Sequence, residues 1–390
     1  MDGSIGVVFT PNKIVELMLD TLPPHVWSET SVRFFDPCAG YGQFPVAIYK
    51  RLMVGLEKVI PSEKKRKRHI LTKMLFMAEL NKEFASICRK ALDPKSEYDL
   101  KLFQGDSLKM VWKFQFDVIL GTPPYNIGSQ PLYHHFVSHF WDKSRYLMFI
   151  TPSRWFSGGR GLNKFRSEML AKKDVRFIRH EVNSRLVFPD VNISGGVCFF
   201  LKDAEYSGMC KFNGGSVALD RYDVLVERKY HTLIDRLMNE PKLTEIYSGR
   251  YYNIETNDAK LLDKKCKGAI KCYVSQRKGF EKWFKMEADG FWKVITARDV
   301  GDTKRFGNTF VGRPDEVHSK SYLSFRVQSE REAESLVSYL KNCELPNCML
   351  KLRLNGHGIC KAVLEWIPLP VLDRIWNDTA VNKYYGVDAE

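Results

Sequence analysis

Apolar residues along the first two hundred positions fall into two alternating rhythms. Mostly apolar runs at Val32–Phe35, Lys73–Leu80 (KMLFMAEL), Leu100–Phe103, Phe116–Leu120 and Tyr146–Ile150 have the length of strands buried on both faces. Between them, apolar positions recur three and four apart. Asn12 to Leu22 carries Ile14, Val15, Met18, Leu19 and Leu22, and helices are also predicted from about Phe44 to Leu56 and from Lys82 to Leu92. Thr10 suits the N-cap of the first helix and Pro11 its first turn. Strands alternating with helices predict an α/β fold built on a doubly wound, mostly parallel sheet.

The pattern weakens in the second half. Gly and Ser between Tyr206 and Asn213 follow the last sheet strand, so a boundary is expected near residue 215, dividing the chain into 1–215 and a mixed α+β domain, 216–390. Val226 to Met238 has helical spacing and is expected to pack back onto the first domain. Glu332 to Leu340 reads as a helix, and Trp366-Ile367-Pro368-Leu369-Pro370 as the closure of a core. Beyond Tyr251, basic and aromatic residues interleave: Arg277, Lys278, Phe280, Lys282, Trp283, Phe284 and Lys285, then Trp292, Lys304, Arg305 and Arg313. That mixture suits phosphate contacts with stacking or wedging rings, and equally a surface of ordinary amphipathic elements.

Composition narrows the class. A chain of 390 residues with a net charge of +14 favours a polyanionic partner. Nine cysteines without paired spacing fit a reducing compartment, and Cys343, Cys348, His357 and Cys360 lack the C-x-x-C pairing of a zinc site, so no metal is expected. His134, His135 and His139 fall on a predicted helix with aromatic neighbours, as packing or substrate-edge residues. No apolar run reaches the length of a membrane span and the opening residues do not read as a signal peptide, so a cytoplasmic protein, without a membrane, is expected. The basic run Lys64 to Arg68 reads as a solvated face ahead of a phosphate-contacting patch or a nuclear address.

Candidate chemistry gathers at the strand ends. Asp36-Pro37-Cys38-Ala39-Gly40-Tyr41-Gly42-Gln43-Phe44 places two glycines just after a strand, where the backbone turns tightly and approaches a ligand. It lacks both the G-x-G-x-x-G of dinucleotide folds and the G-K-[ST] of a phosphate loop. An acid ahead of the glycines would repel a pyrophosphate and suits a positively charged ligand, such as the amino-acid end of S-adenosylmethionine. Glu79 ends the second strand, where an acid takes ribose hydroxyls. Asp106, after Gly105, is placed to accept a hydrogen bond from an adenine amino group. In Phe116–Asn126 (FDVILGTPPYN) the strand stops at Gly121, Pro123 and Pro124 forbid further ladder bonding, and Tyr125 is left on a stiff turn at the strand's carboxyl end.

Taken in order, the Thr10-Pro11 segment, D-P-x-x-G-x-G from Asp36, strand-end Glu79, Gly105-Asp106 and T-P-P-Y from Thr122 resemble the adenine-N6 DNA methyltransferases of restriction–modification systems. The order is that of their gamma arrangement, with the cofactor segment first and a target-recognition domain last. The resemblance continues through Tyr146–Trp155, Phe165–Leu170, and Val187–Ile193 with the strand Gly196–Leu201.

The resemblance implies an S-adenosylmethionine-dependent methyltransferase fold with Phe9, Thr10, Pro11, Asp36, Ala39, Gly40 and Gly42 lining the cofactor site, Glu79 on the ribose and Asp106 on the adenine. Thr122, Pro123, Pro124 and Tyr125 would form the catalytic loop, the Thr122 side chain and Pro123 carbonyl accepting hydrogens of the target amine. Tyr125 would stack on the flipped base and Phe188 pack on it from another side. Residues 216–390 would recognise double-stranded DNA, with Lys282, Lys285, Lys304 and Arg305 on phosphates, and a separate cognate endonuclease is an implied partner. The chemistry fits these residue types: an exocyclic amine is a poor nucleophile until two acceptors localise its lone pair, and the base must leave the duplex to be reached. The family usually has Asn, Asp or Ser where this chain has Thr122. A silenced DNA-binding homologue therefore stays open beside the leading reading, as does a methyltransferase for RNA or a protein glutamine amide, since an x-P-P-Y loop can serve a planar amide too.

Overall fold

The structure is a computed structural model describing residues 8–112, 114–159, 161–275, 280–354 and 358–387. Arg277, Lys278 and His357 lie outside the described residues. The chain divides into two compact units after Arg228.

The first unit is built on strands β1 (Phe34–Asp36), β2 (Leu75–Glu79), β3 (Lys101–Gln104), β4 (Phe116–Gly121), β7 (Ser144–Pro152), β8 (Val175–Glu181), β9 (Val197–Asp203), β10 (Cys210–Phe212) and β11 (Gly215–Val217). A two-stranded hairpin, β5 (Asn126–Ile127) with β6 (Gln130–Pro131), stands apart. The nine strands form one sheet in the order β11-β10-β8-β9-β7-β4-β1-β2-β3. β3, β2, β1, β4 and β7 run parallel, whereas β9 is antiparallel to both its neighbours, β7 and β8. Every residue of β1, β2 and β9 is buried, as expected of apolar runs covered on both faces, and β3 is more exposed at its edge. This is the doubly wound, mostly parallel sheet expected from the sequence.

Helices α1 (Asn12–Leu19), α2 (Gln43–Gly55), α3 (Glu63–His69), α4 (Lys82–Leu92), α5 (Tyr133–Phe140) and α6 (Asn163–Leu170) join the strands. α4 starts on Asn81, whose side chain accepts from the Glu83 and Phe84 amides, and it packs against β2 and β3. The basic run forms α3, capped by Ser62. Of that run Arg66 is buried, donating through Nη1 to the Ile60 carbonyl at 2.7 Å, so the reading as a solvated face fails for this residue.

Two expectations are corrected here. The Gly-bearing stretch after β9 is not a linker: Asn213 and Gly214, at φ 44° and 88°, form the two-residue turn of the β10–β11 hairpin, and Leu219 and Leu225 join the first unit's core. The division therefore falls at 228 rather than near 215. The helix expected at Val226–Met238 is α7 (His231–Leu237), which belongs to the second unit, where its Arg236 bonds the Tyr385 carbonyl.

In the second unit a four-stranded antiparallel sheet joins β12 (Tyr247–Gly249), β18 (Tyr322–Val327), β15 (Trp292–Ala297) and β16 (Thr309–Gly312) in that order. β14 (Glu281–Lys285), β13 (Ala269–Tyr273) and β17 (Glu316–His318) form a second, three-stranded sheet. α8 (Glu330–Asn342), capped by Ser329, lies against β15, β16 and β18. α9 (Glu344–Arg353), α10 (Lys361–Leu364) and α11 (Asp378–Tyr385) complete it, and Ile367 is wholly buried beside the Tyr339 hydroxyl's bond to the Pro368 carbonyl.

Candidate active site

Strand order reverses between β1 and β4, and in an open α/β sheet the loops beyond the carboxyl ends diverge at that point and leave a crevice. A cavity of about 750 Å³ lies there. Its wall is formed by Pro37–Gly40 after β1, Glu79–Asn81 after β2, Gly105–Leu108 after β3, and Thr122 with Pro124 after β4. Phe9 and Thr10 join from the segment before α1. Phe9 stacks on Tyr41 with centroids 4.1 Å apart, and both meet Phe84 edge-on.

Glu79 is the best anchored group of this wall. Its Oε2 accepts from the Gly40 amide and its Oε1 from the Asn81 amide, each at 2.8 Å. A carboxylate has about four acceptor positions, so two remain for a ligand. Asp106 turns Oδ1 to the Leu108 amide at 3.1 Å and pairs with exposed Lys109 at 3.2 Å. None of the described residues lining the cavity is Lys, Arg or His.

Asp36 lies beneath the wall rather than on it. It is 1% exposed, its Oδ1 accepts from the Cys38 amide at 3.0 Å, and a Cβ on Gly121 would come within 2.6 Å of that oxygen. Burial pushes its carboxyl up to about 8; the Cys38 N–H opposes the rise and the Glu79 charge adds to it. Gly121, at φ 150°, is thus required by close approach and by conformation together. Gly42 (φ 93°) heads α2, where a Cβ would lie 3.0 Å from the Cys88 Sγ, and it lines a separate hollow. Pro11 occupies the N-cap position of α1 with no side-chain cap, so Thr10 is not the expected N-cap. The Thr10 hydroxyl is hydrogen-bonded instead to the Thr122 hydroxyl.

Beyond Thr122 the surroundings close. Pro123 is buried, and Tyr125 is 3% exposed, edge-on to Phe188 with centroids 6.2 Å apart. The Tyr125 hydroxyl is buried without a hydrogen-bond partner, and burial pushes its pKa well above the ordinary phenol value. Phe188 sits on a short turn whose Phe188 amide donates to the Ser184 carbonyl at 2.7 Å. In this conformation neither ring offers an open face to a base. Of the α5 histidines, His134 meets Phe165 at 5.7 Å and His139 contacts Lys143, whereas His135 is exposed.

Comparison with known proteins bears on this geometry. The family model described as Eco57I restriction-modification methylase matches residues 61–188, which hold Glu79, Asp106 and the Thr122–Tyr125 loop. A Mycoplasma pneumoniae protein named "Uncharacterized adenine-specific methylase" is 26% identical over 291 residues, covering 53% of this chain and 69% of its own. The chain resembles the adenine-specific methylases of restriction–modification systems. In fold it matches a nuclease-deletion mutant of the Type ISP restriction-modification enzyme LlaGI, determined with a DNA substrate mimic, at a TM-score of 0.58 and 10% identity. That match covers 92% of this chain and 46% of the other. A DrdV–DNA complex matches at a TM-score of 0.53 and 12% identity over 94% of this chain and 56% of the other. The chain therefore spans about half the length of these solved structures.

The second unit's cations are less open than the sequence pattern suggests. Lys282 pairs with Asp263, and Arg305 pairs with Glu344 at 2.5 Å, whereas Lys285 is exposed. Lys304 is half-buried in a left-handed conformation. A residue outside the expected set joins two exposed rings. The Arg326 guanidinium lies 4.1 Å from the Tyr251 ring centre and 4.6 Å from that of Phe291, both exposed rings, with Asp289 3.5 Å from its edge. Three distant segments build that stack, so no local motif announces it. Among the described residues no group of His, Cys, Asp and Glu could hold a metal, and no helix is long and apolar enough to cross a membrane.

Proposed function

We propose that this protein transfers a methyl group from S-adenosylmethionine to the N6 amine of an adenine flipped out of double-stranded DNA. The observation that carries the reading is one cavity onto which the glycine turn, Glu79, Asp106, Thr122 and Pro124 all open. The residues present fit the cofactor: the lining has carboxylates and no cation, which suits a sulfonium with an ammonium and opposes a polyphosphate. When bound, it supplies a methyl group made electrophilic by the sulfonium. Glu79 keeps two acceptor positions for ribose hydroxyls while its other two hold the Gly40 and Asn81 amides in place. Asp106 accepts from the adenine amine of the cofactor. At the other end Thr122 and the Pro123 carbonyl accept the hydrogens of the target amine, localising its lone pair for in-line attack; the second proton leaves to solvent after transfer. Tyr125 stacks on the base once Phe188 withdraws from its edge. The second unit takes the duplex, with Arg326, Lys285 and Lys304 as its contacts, and a separate endonuclease completes a restriction–modification pair.

The test is transfer of tritium from labelled cofactor, offered in parallel to unmethylated genomic DNA, total RNA and a protein extract. Label recovered as N6-methyl-2′-deoxyadenosine from the DNA digest is the expected result, and Thr122→Val should reduce it about a hundredfold. Label in RNA or on protein glutamine selects the corresponding alternative. Cofactor binding without transfer to any acceptor would make the chain a silenced homologue.

A further inference from the structure

We infer that Thr10 is a positioning residue for methyl transfer, acting through Thr122 by holding that hydroxyl's hydrogen away from the target amine; this rests on the function proposed above. A hydroxyl carries one hydrogen and two acceptor lone pairs and rotates freely when nothing holds it. At residue 122 that freedom is harmful. A hydrogen turned toward the target nitrogen would bind the lone pair that must attack the methyl group. A carboxylate at this position presents acceptors only, so the problem belongs to the hydroxyl.

The structure supplies the remedy. Thr10 and Thr122, 112 residues apart, bring their hydroxyls into hydrogen-bond contact at the cavity wall. One hydrogen lies between the two oxygens. With it donated by Thr122, the Thr122 oxygen shows only lone pairs to an arriving amine, and the amine's own hydrogens favour that arrangement. Thr10 is 4% exposed and Pro11 starts α1 behind it, so its oxygen is held rather than drifting on a side chain in solvent. No substrate atom touches Thr10 in this role.

The experiment is a double-mutant cycle on methyl transfer at saturating cofactor, using the full chain and unmethylated genomic DNA. Thr10→Val should lower the single-turnover rate roughly five- to tenfold, the size of one lost hydrogen bond, and Thr10→Ser should restore most of it. In a Thr122→Val background Thr10→Val should cost nothing further, because the hydroxyl it positions is gone. Equal losses in both backgrounds would assign Thr10 to cofactor contact alone and overturn the inference, as would a Thr10→Val enzyme as fast as wild type. If the wild type transfers no methyl group to adenine while its Thr122→Asn variant also stays silent, the function itself fails and the inference falls with it.

Discussion

The two ends of the cavity differ in how finished they are. At the β1–β3 end, Glu79 and Asp106 are already fastened to backbone amides and face an open space. At the β4 end, Tyr125 is buried against Phe188 with its hydroxyl unsatisfied. Main-chain amides can complete a wall without a ligand, because donor and acceptor belong to the same fold. The Tyr125 ring has no such backbone partner and is covered instead by another ring, Phe188. Under the function proposed above, the first end receives its ligand as it stands, whereas the second must open.

A crossed pair of substitutions tests that separation. Tyr125→Ala removes a stacking face of about 1–3 kcal/mol per base, so methyl transfer should fall roughly ten- to hundredfold while cofactor affinity, read by calorimetry, stays put. Glu79→Ala should do the reverse, weakening cofactor binding by about 1–3 kcal/mol with a smaller loss of rate at saturation. It also strands the Gly40 and Asn81 amides, so its melting temperature should drop, and Glu79→Gln, keeping one acceptor, should lose less. If either change moved both constants equally, the two ends would be one unit and the comparison would collapse.

A third effect, on stability rather than on function, concerns Asp36 beneath the finished end. Unfolded, its carboxyl loses its proton near the ordinary value of 3.8; folded, it holds it to about 8. Its contribution to stability is therefore fully present below pH 3.8 and is lost as pH rises toward 8. Asp36→Asn lacks that loss, so its urea stability relative to wild type should rise between pH 5 and pH 8 and level off above. A constant difference across that range would show that Asp36 is ionised in the folded chain.

What the sequence disclosed was local. Buried apolar runs, the helix Lys82–Leu92, and Glu79 at a strand end could be read because each signal lies within a few residues. The contact between Thr10 and Thr122 could not, since only the sheet brings residue 10 to the end of β4; local capping logic assigned that hydroxyl to α1 instead. Lys282 and Arg305 read as exposed cations because Asp263 and Glu344 are distant in sequence. The second unit's strands are short and pair non-locally in two sheets, and an interleaved basic–aromatic pattern carries no clear period by which to find them.

The antiparallel β9 has a consequence for the order in which the chain acquires its shape. β1 to β4 can pair as soon as Gly121 has been synthesised, since each lies beside strands already made. β8 has no such neighbour: it pairs with β9 and β10, and it joins the rest of the sheet only when Val197–Asp203 slides in between it and β7. Such late, non-local pairing is the slow part of assembling a sheet. The turn bearing Phe188 lies between β8 and β9, so the ring that covers Tyr125 is fixed by the last insertion.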